Sequence, residues 1–183
     1  MKSPVFSFPF IGLLSLFLVS CSSKSPTSTP PASGSSPATR KSTAKLENET
    51  FYYVNGFRDS KGLIEFKSHP GLKKLAEEHS LAMLKRGEME HFGFENRAAY
   101  ANKKYQLPAM SENLHHYWSD NPSAEKIVRQ WIESPPHRKN LVGSYNYAGV
   151  GIAREGNQTY STLLMARGYS DMNSQRTGPY LEM

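Results

Sequence analysis

Cysteine is nearly missing: Cys21 is the only one in 183 residues. An intrachain disulfide, a zinc ribbon and a dithiol redox pair are therefore excluded. No GxxxxGK[ST], GxGxxG or HExxH stretch occurs, so nucleotide binding by a P-loop, a dinucleotide fingerprint and the common metalloprotease helix have no footing. Charged residues make up only 21% and hydrophobic ones 38%, a balance that suits one globular domain with a polar appendage. The formal net charge is +6, but little of it lies in the part that can fold. Between Leu46 and Gly168 there are 16 basic and 14 acidic residues. A basic nucleic-acid groove is not called for, and no nucleic acid is expected as partner.

The two ends explain the rest. Lys2 precedes an uncharged, apolar stretch over residues 5–19, interrupted by Pro9 and Gly12. It is short for a membrane span and reads as the core of a secretory signal over residues 1–20. Leu18-Val19-Ser20-Cys21 resembles the bacterial lipobox. That resemblance implies a lipid on Cys21, and hence a membrane as partner, an extracytoplasmic place in the cell envelope, and more than one acyl chain for firm anchoring. Ser22 after the cysteine resembles the outer-membrane sorting default of bacteria with two membranes. Residues 21–45 are rich in Ser, Thr and Pro, and carry Lys24, Arg40, Lys41 and Lys45. With nothing large and apolar to bury, they read as a disordered tether. Residues 169–183 read as a loose tail.

The folding part, residues 46–168, is long enough for one core. Phe51, Val54, Asn55 and Arg58 fall at helical spacing and predict a helix over 47–59. Residues 63–66 read as a short extended piece. Pro70, with Ser68 or His69 as cap, opens a helix with Leu72, Leu75, Ala76, His79, Ala82 and Met83 inward, stopped by Gly87. Residues 95–104 predict a third helix. Ala124, Ile127, Val128, Trp131 and Ile132 predict a fourth after Asn121-Pro122, ended by Ser134-Pro135-Pro136. Residues 147–154 and 159–167 read as a hairpin. Helices first and an antiparallel pair last predict an α+β fold, with helices on both faces of a small antiparallel sheet.

Several segments, read in order, resemble one family. Asn55-Gly56-Phe57-Arg58 resembles its N-x-x-R, Leu72 to Ala76 its L-x-x-x-A helix, and Ser111-Glu112-Asn113-Leu114 its G-E-N-[IL]. Trp131 to Leu141 resembles W-x-x-S-x-x-H-R-x-N-[IL], and Gly149-Val150-Gly151 its G-V-G strand. The chain resembles the CAP superfamily (cysteine-rich secretory proteins, antigen-five, pathogenesis-related proteins), in its bacterial SCP-like branch. The resemblance implies an α-β-α sandwich and a cleft of two histidines and acids that binds a divalent metal such as Zn²⁺ in some members. Carried over, the metal set is His91, His137 and Glu112, with Glu112 the candidate catalytic group and Asn113, Ser134 and Arg138 supporting the cleft. Many eukaryotic members carry a second Glu where Ser134 stands, a serine that resembles the bacterial branch. Glu133 is next door but about 100° round the helix. The disulfides of secreted eukaryotic members are absent.

The residues also have plainer readings. His91 and His137 could be hydrogen-bonding cleft residues, Glu112 could organise its turn through backbone N–H groups, and Ser134 could cap a helix. His115-His116 reads as an exposed pair at the rim, and His79 as a satisfied residue at the core edge. Tyr52, Tyr53, Tyr117 and Trp118 either line a ligand surface or cover the core. Three functions follow. The first is a lipid-anchored extracytoplasmic binding module for a divalent metal, a polar or lipid ligand, or a protein. The others are a metal-assisted hydrolase using the same cleft, and a structural envelope protein.

Overall fold

The computed structural model describes residues 37–169, with side chains from residue 42. They belong to one unit, Ser35–Met183. The signal stretch, Cys21, most of the tether and the tail beyond Tyr169 lie outside the described residues.

Five helices and four strands follow in the order α1 (Pro37–Asp59), β1 (Lys67–Ser68), α2 (Pro70–Arg86), α3 (Phe94–Tyr105), β2 (Ala109–Trp118), α4 (Ala124–Glu133), α5 (Pro135–Leu141), β3 (Tyr147–Glu155) and β4 (Gln158–Arg167). The sheet order is β1-β3-β4-β2. β2, β4 and β3 form an antiparallel trio, and β1 adds two residues in parallel to the start of β3. The sheet is therefore mixed at one edge rather than wholly antiparallel. No described helix is long and apolar enough to cross a membrane.

Strand alternation sorts the core into two layers. Leu163 and Met165 of β4, with Ala148, Val150 and Ile152 of β3, meet Leu46 and Val54 of α1 and Ile127, Val128 and Trp131 of α4. Leu164 and Ala166, the alternate residues, meet Leu72 and Ala76 of α2 and Ala101 of α3. Met83, Leu114 and Tyr160 extend that second layer. The α4 stripe matches its sequence spacing, and each of its large apolar side chains contributes about 1.5–3 kcal/mol by burial. The outcome is the expected α-β-α sandwich.

Local signals set most boundaries. His69 accepts from the Leu72 N–H through Nδ1 at 3.2 Å, Pro70 follows it, and Gly87 ends α2 at φ 73°. Ser123 caps α4 by accepting from Lys126 N–H. α1 starts ten residues before the expected 47, at Pro37. Its inward face, Leu46, Thr50, Val54 and Arg58, repeats every four residues, and the Ser/Thr-rich turns before it lie on the same helix. The extended piece expected at 63–66 forms its strand just later, at Lys67–Ser68. Pro135, read as a stop, ends α4 and also opens α5, since proline suits a first helical turn.

Two sequence motifs are explained by packing. Arg58 is 3% exposed. It donates to four carbonyls: Ile64 at 2.9 Å, Leu141 at 2.7 Å, Gly143 at 3.1 Å and Tyr145 at 3.4 Å. Its guanidinium also lies 3.9 Å from the Phe66 ring centre. Asn55 holds the same loop, donating to Phe66 O at 3.0 Å and accepting from Phe66 N–H at 2.9 Å. Gly149 and Gly151 both face α2. A Cβ on Gly149 would strike the backbone of Leu72 and Lys73, and one on Gly151 that of Ala76 and Glu77. The glycines let α2 lie directly on β3.

Candidate functional site

Glu112 and Asn113 are neighbours on β2, so they point to opposite faces of the sheet. Glu112 turns toward α2 and α3, and its side chain is 1% exposed. Arg97, near the start of α3, grips it. Nε donates to Oε2 at 3.0 Å, and Nη2 reaches Oε1 at 3.0 Å and Oε2 at 2.7 Å. Arg97 Nη1 also donates to Phe92 O at 2.9 Å, tying the loop before α3 to the same guanidinium. His91 Nδ1 lies 2.8 Å from Glu112 Oε1. An ionised carboxylate only accepts, so Nδ1 carries a proton, and in the neutral imidazole Nε2 is the acceptor. The His91 side chain is 59% exposed. The arrangement therefore offers solvent an oriented imidazole edge backed by a buried carboxylate paired with Arg97.

Asn113, fully buried, serves the other side. Its Nδ2 donates to His137 O at 3.0 Å, and its Oδ1 accepts from Asn140 Nδ2 at 2.9 Å. Asn140 reaches Glu112 O at 3.4 Å as well. The two asparagines pin α5, which carries His137, to the outer edge of β2. Burial first, and then the neighbouring His91, push the half-buried His137 imidazole below its ordinary pKa. Ser134 joins α4 to α5 through its backbone N–H, which donates to Gln130 O at 3.1 Å. Arg138 Nη1 donates to Ile132 O at 3.0 Å on the surface. Glu133 is turned outward, 67% exposed and 4.0 Å from Arg129.

His79 of α2 completes the buried side. Its Nε2 is 3.0 Å from Glu90 O and 3.9 Å from Glu112 Oε1. Burial, then Arg97, lowers its pKa to about 4. A histidine held neutral in the fold contributes stability that is complete above its unfolded value near 6.5. That stability is lost as pH falls from there toward 4. Going from pH 7 to pH 5 is expected to cost about 2 kcal/mol through this group alone. Urea unfolding of wild type and His79→Gln at both pH values checks this, since glutamine keeps a donor for Glu90 O. An equal pH loss in the two proteins would refute it.

The histidine pair at 115–116 departs from expectation. His115 is 6% exposed and its Nε2 bonds to Gln130 Oε1. His116 is half-buried and stacks on Tyr160, with ring centres 4.0 Å apart at 15°. β2 is covered on both faces here, so alternate residues go inward on opposite sides and neither histidine stands clear at a rim. Sequence reasoning does not reach Arg97 or His79 as site residues. An arginine on a short helix six residues after His91 carries no motif of its own.

The fold-level expectation of a metal can be tested against these contacts. Among the described residues no group of three His, Cys, Asp or Glu side chains could hold a metal ion. Glu112, the one acid in the expected set, has both oxygens occupied by Arg97 and one shared with His91. The three-residue set of His91, His137 and Glu112 does not fit a metal as arranged.

The family profile described as CAP, cysteine-rich secretory protein family, matches residues 51–166, well over half of the chain. The chain belongs to the CAP family. No curated protein sequence matches it. Solved CAP structures share its fold at low identity. An outer surface protein from Borrelia burgdorferi aligns at 16% identity and a TM-score of 0.60, over 69% of this chain and 95% of that one. An extracellular SCP-domain protein from Bacillus anthracis aligns at 20% identity and 0.60, over 73% and 44%. A cysteine-rich secretory protein from Staphylococcus aureus aligns at 17% and 0.56, over 68% and 39%. This CAP chain spans less than half the length of the Bacillus and Staphylococcus proteins.

Proposed function

We propose that this CAP protein is an extracytoplasmic binding module, anchored by lipid on Cys21, that takes a polar ligand at the cleft of His91 and His137. The observation that carries the reading is the paired state of Glu112. A carboxylate neutralised by Arg97 and buried is suited to holding an imidazole in one tautomer. It is poorly placed to act as a base on solvent or substrate. The hydrogen-bonding edge left for a ligand is His91 Nε2, with His137 near enough to feel the charge of His91. The extracytoplasmic place and the anchor rest on the signal-like stretch and the lipobox resemblance. The secretory character of the family and the surface or extracellular descriptions of the Borrelia and Bacillus proteins support the place.

A second reading has one specific observation in its favour. A carboxylate bonded to the far nitrogen of a histidine is the usual support for a metal-bound imidazole. Zn²⁺ on His91 and His137 alone, with Glu112 behind, would supply a Lewis acid and revive the hydrolase.

Calorimetric titration of Zn²⁺ into the full chain, beside a His91→Ala/His137→Ala variant, separates the two. The binding-module reading expects no saturable one-to-one uptake that the variant loses. Such uptake would overturn it in favour of the metal site. Cells producing the protein and fed a labelled fatty acid test the anchor: label on wild type and none on Cys21→Ala is expected, and label on both would refute the lipid claim.

A further inference from the structure

We infer that Arg97 is the resident cation of the cleft, the residue that keeps divalent metals off Glu112. The inference deepens the binding-module reading and rests on it for the cleft's use, but it stands on its own contacts.

The carboxylate of Glu112 has about four lone-pair directions. Two Arg97 nitrogens and His91 Nδ1 contact its two oxygens, all between 2.7 and 3.0 Å. A metal would have to displace one of these donors. Guanidinium is also the best-matched cation for a carboxylate, planar and two-pronged. Here it is held at a third point by Phe92 O, so it cannot swing away without freeing the loop that carries His91. Its side chain is only 12% exposed, so the pair is little screened by water.

The charged and titratable groups in contact with Glu112 are His79 from α2, His91 from the loop and Arg97 from α3, and His137 of α5 lies near His91. With neutral imidazoles the set sums to zero, and any protonated imidazole makes it positive. A divalent ion approaching Glu112 would meet a fixed positive charge at contact distance and would have to displace it. The carboxylate behind His91 is thus already taken by a cation of the protein itself.

Zn²⁺ titration of the full chain in wild type, Glu112→Gln, Arg97→Met and Arg97→Met/Glu112→Gln tests this. Arg97→Met is expected to bind Zn²⁺ at least tenfold more tightly than wild type, and the added Glu112→Gln change is expected to abolish the gain. No gain in Arg97→Met would overturn the inference. So would wild-type Zn²⁺ binding that Glu112→Gln removes. Near-ultraviolet circular dichroism checks that each variant is folded. Should Arg97→Met not fold, Arg97→Gln replaces it, since an amide removes the charge but keeps donors for Glu112 and Phe92 O. A threefold or larger gain then supports the inference and none overturns it. Zn²⁺ binding by wild type through the two histidines, unchanged in Glu112→Gln, would sink the metal-free reading of the cleft while upholding the role of Arg97.

Discussion

Gly151→Ala is expected to destabilise the domain by about 3 kcal/mol, lowering the melting temperature by about 10 °C. The added methyl would meet main-chain atoms of Ala76 and Glu77. Those atoms cannot rotate aside as a side chain can. α2 would have to lift from β3, breaking the bond from Ser80 Oγ to Gly151 O at 2.8 Å. Its shift would also carry His79 away from Glu112. Gly56→Ala is the matched control. Gly56 lies within α1, exposed, with nothing within 4 Å of the added Cβ. There the same methyl is expected to stabilise by about 0.5–1 kcal/mol, because glycine is the costlier residue inside a helix. Urea denaturation of the three proteins measures both. A loss below about 1 kcal/mol at Gly151 would mean that α2 does not depend on the glycine for its seat.

Arg58→Met is expected to cost about 3–5 kcal/mol. Methionine preserves much of the volume and the contact with Phe66, so the loss reports on the polar work of the guanidinium. Four carbonyls from two separate loops converge on that one group. Two of them, from Leu141 and Gly143, lie at the end of α5 and just beyond it, so the helix carrying His137 should loosen with them. Arg58→Lys should recover only part of the loss, since an ammonium has three donors and no fork. Chemical unfolding followed by tryptophan fluorescence reads the effect. An Arg58→Met protein within about 1 kcal/mol of wild type would show that these carbonyls find water instead.

These positions also show which parts of the molecule are open to reading from sequence. α2 and α4 are legible because apolar periodicity, a capping residue and a terminator agree in each. The hairpin β3–β4 is legible because Gly156-Asn157 separates two runs rich in small and β-branched residues. β2 is not, although it is one of the two longest strands. Its segment runs Ser-Glu-Asn and His-His together between apolar residues, and polar members are buried against partners from other elements: Glu112 with Arg97, Asn113 with Asn140, His115 with Gln130. A pattern that counts apolar residues cannot register polar groups that are satisfied at long range. The beginning of α1 is hidden for the opposite reason. Its first turns are rich in small polar residues, so composition suggests tether while the helix runs through. His91, Glu112 and His137 can be named in advance only through family resemblance. The position of Arg97 depends on how α3 packs against β2, which no local pattern encodes.

The two rims of the sheet have a consequence for behaviour at high concentration. Beyond β1, the outer N–H of Ile152 on β3 is taken by Glu47 Oε1 at 3.0 Å, and Glu47 is itself held by Lys73. On the far rim, Leu114 O accepts from the Trp131 indole at 2.9 Å, and Glu112 O from Asn140 at 3.4 Å. Side chains stand where a neighbouring strand would otherwise dock. Strand borders with free main-chain groups are templates for aggregation. Here each border is interrupted by a group that another molecule's backbone would have to evict. At these positions the sheets of two copies cannot join edge to edge unless those side chains first give way.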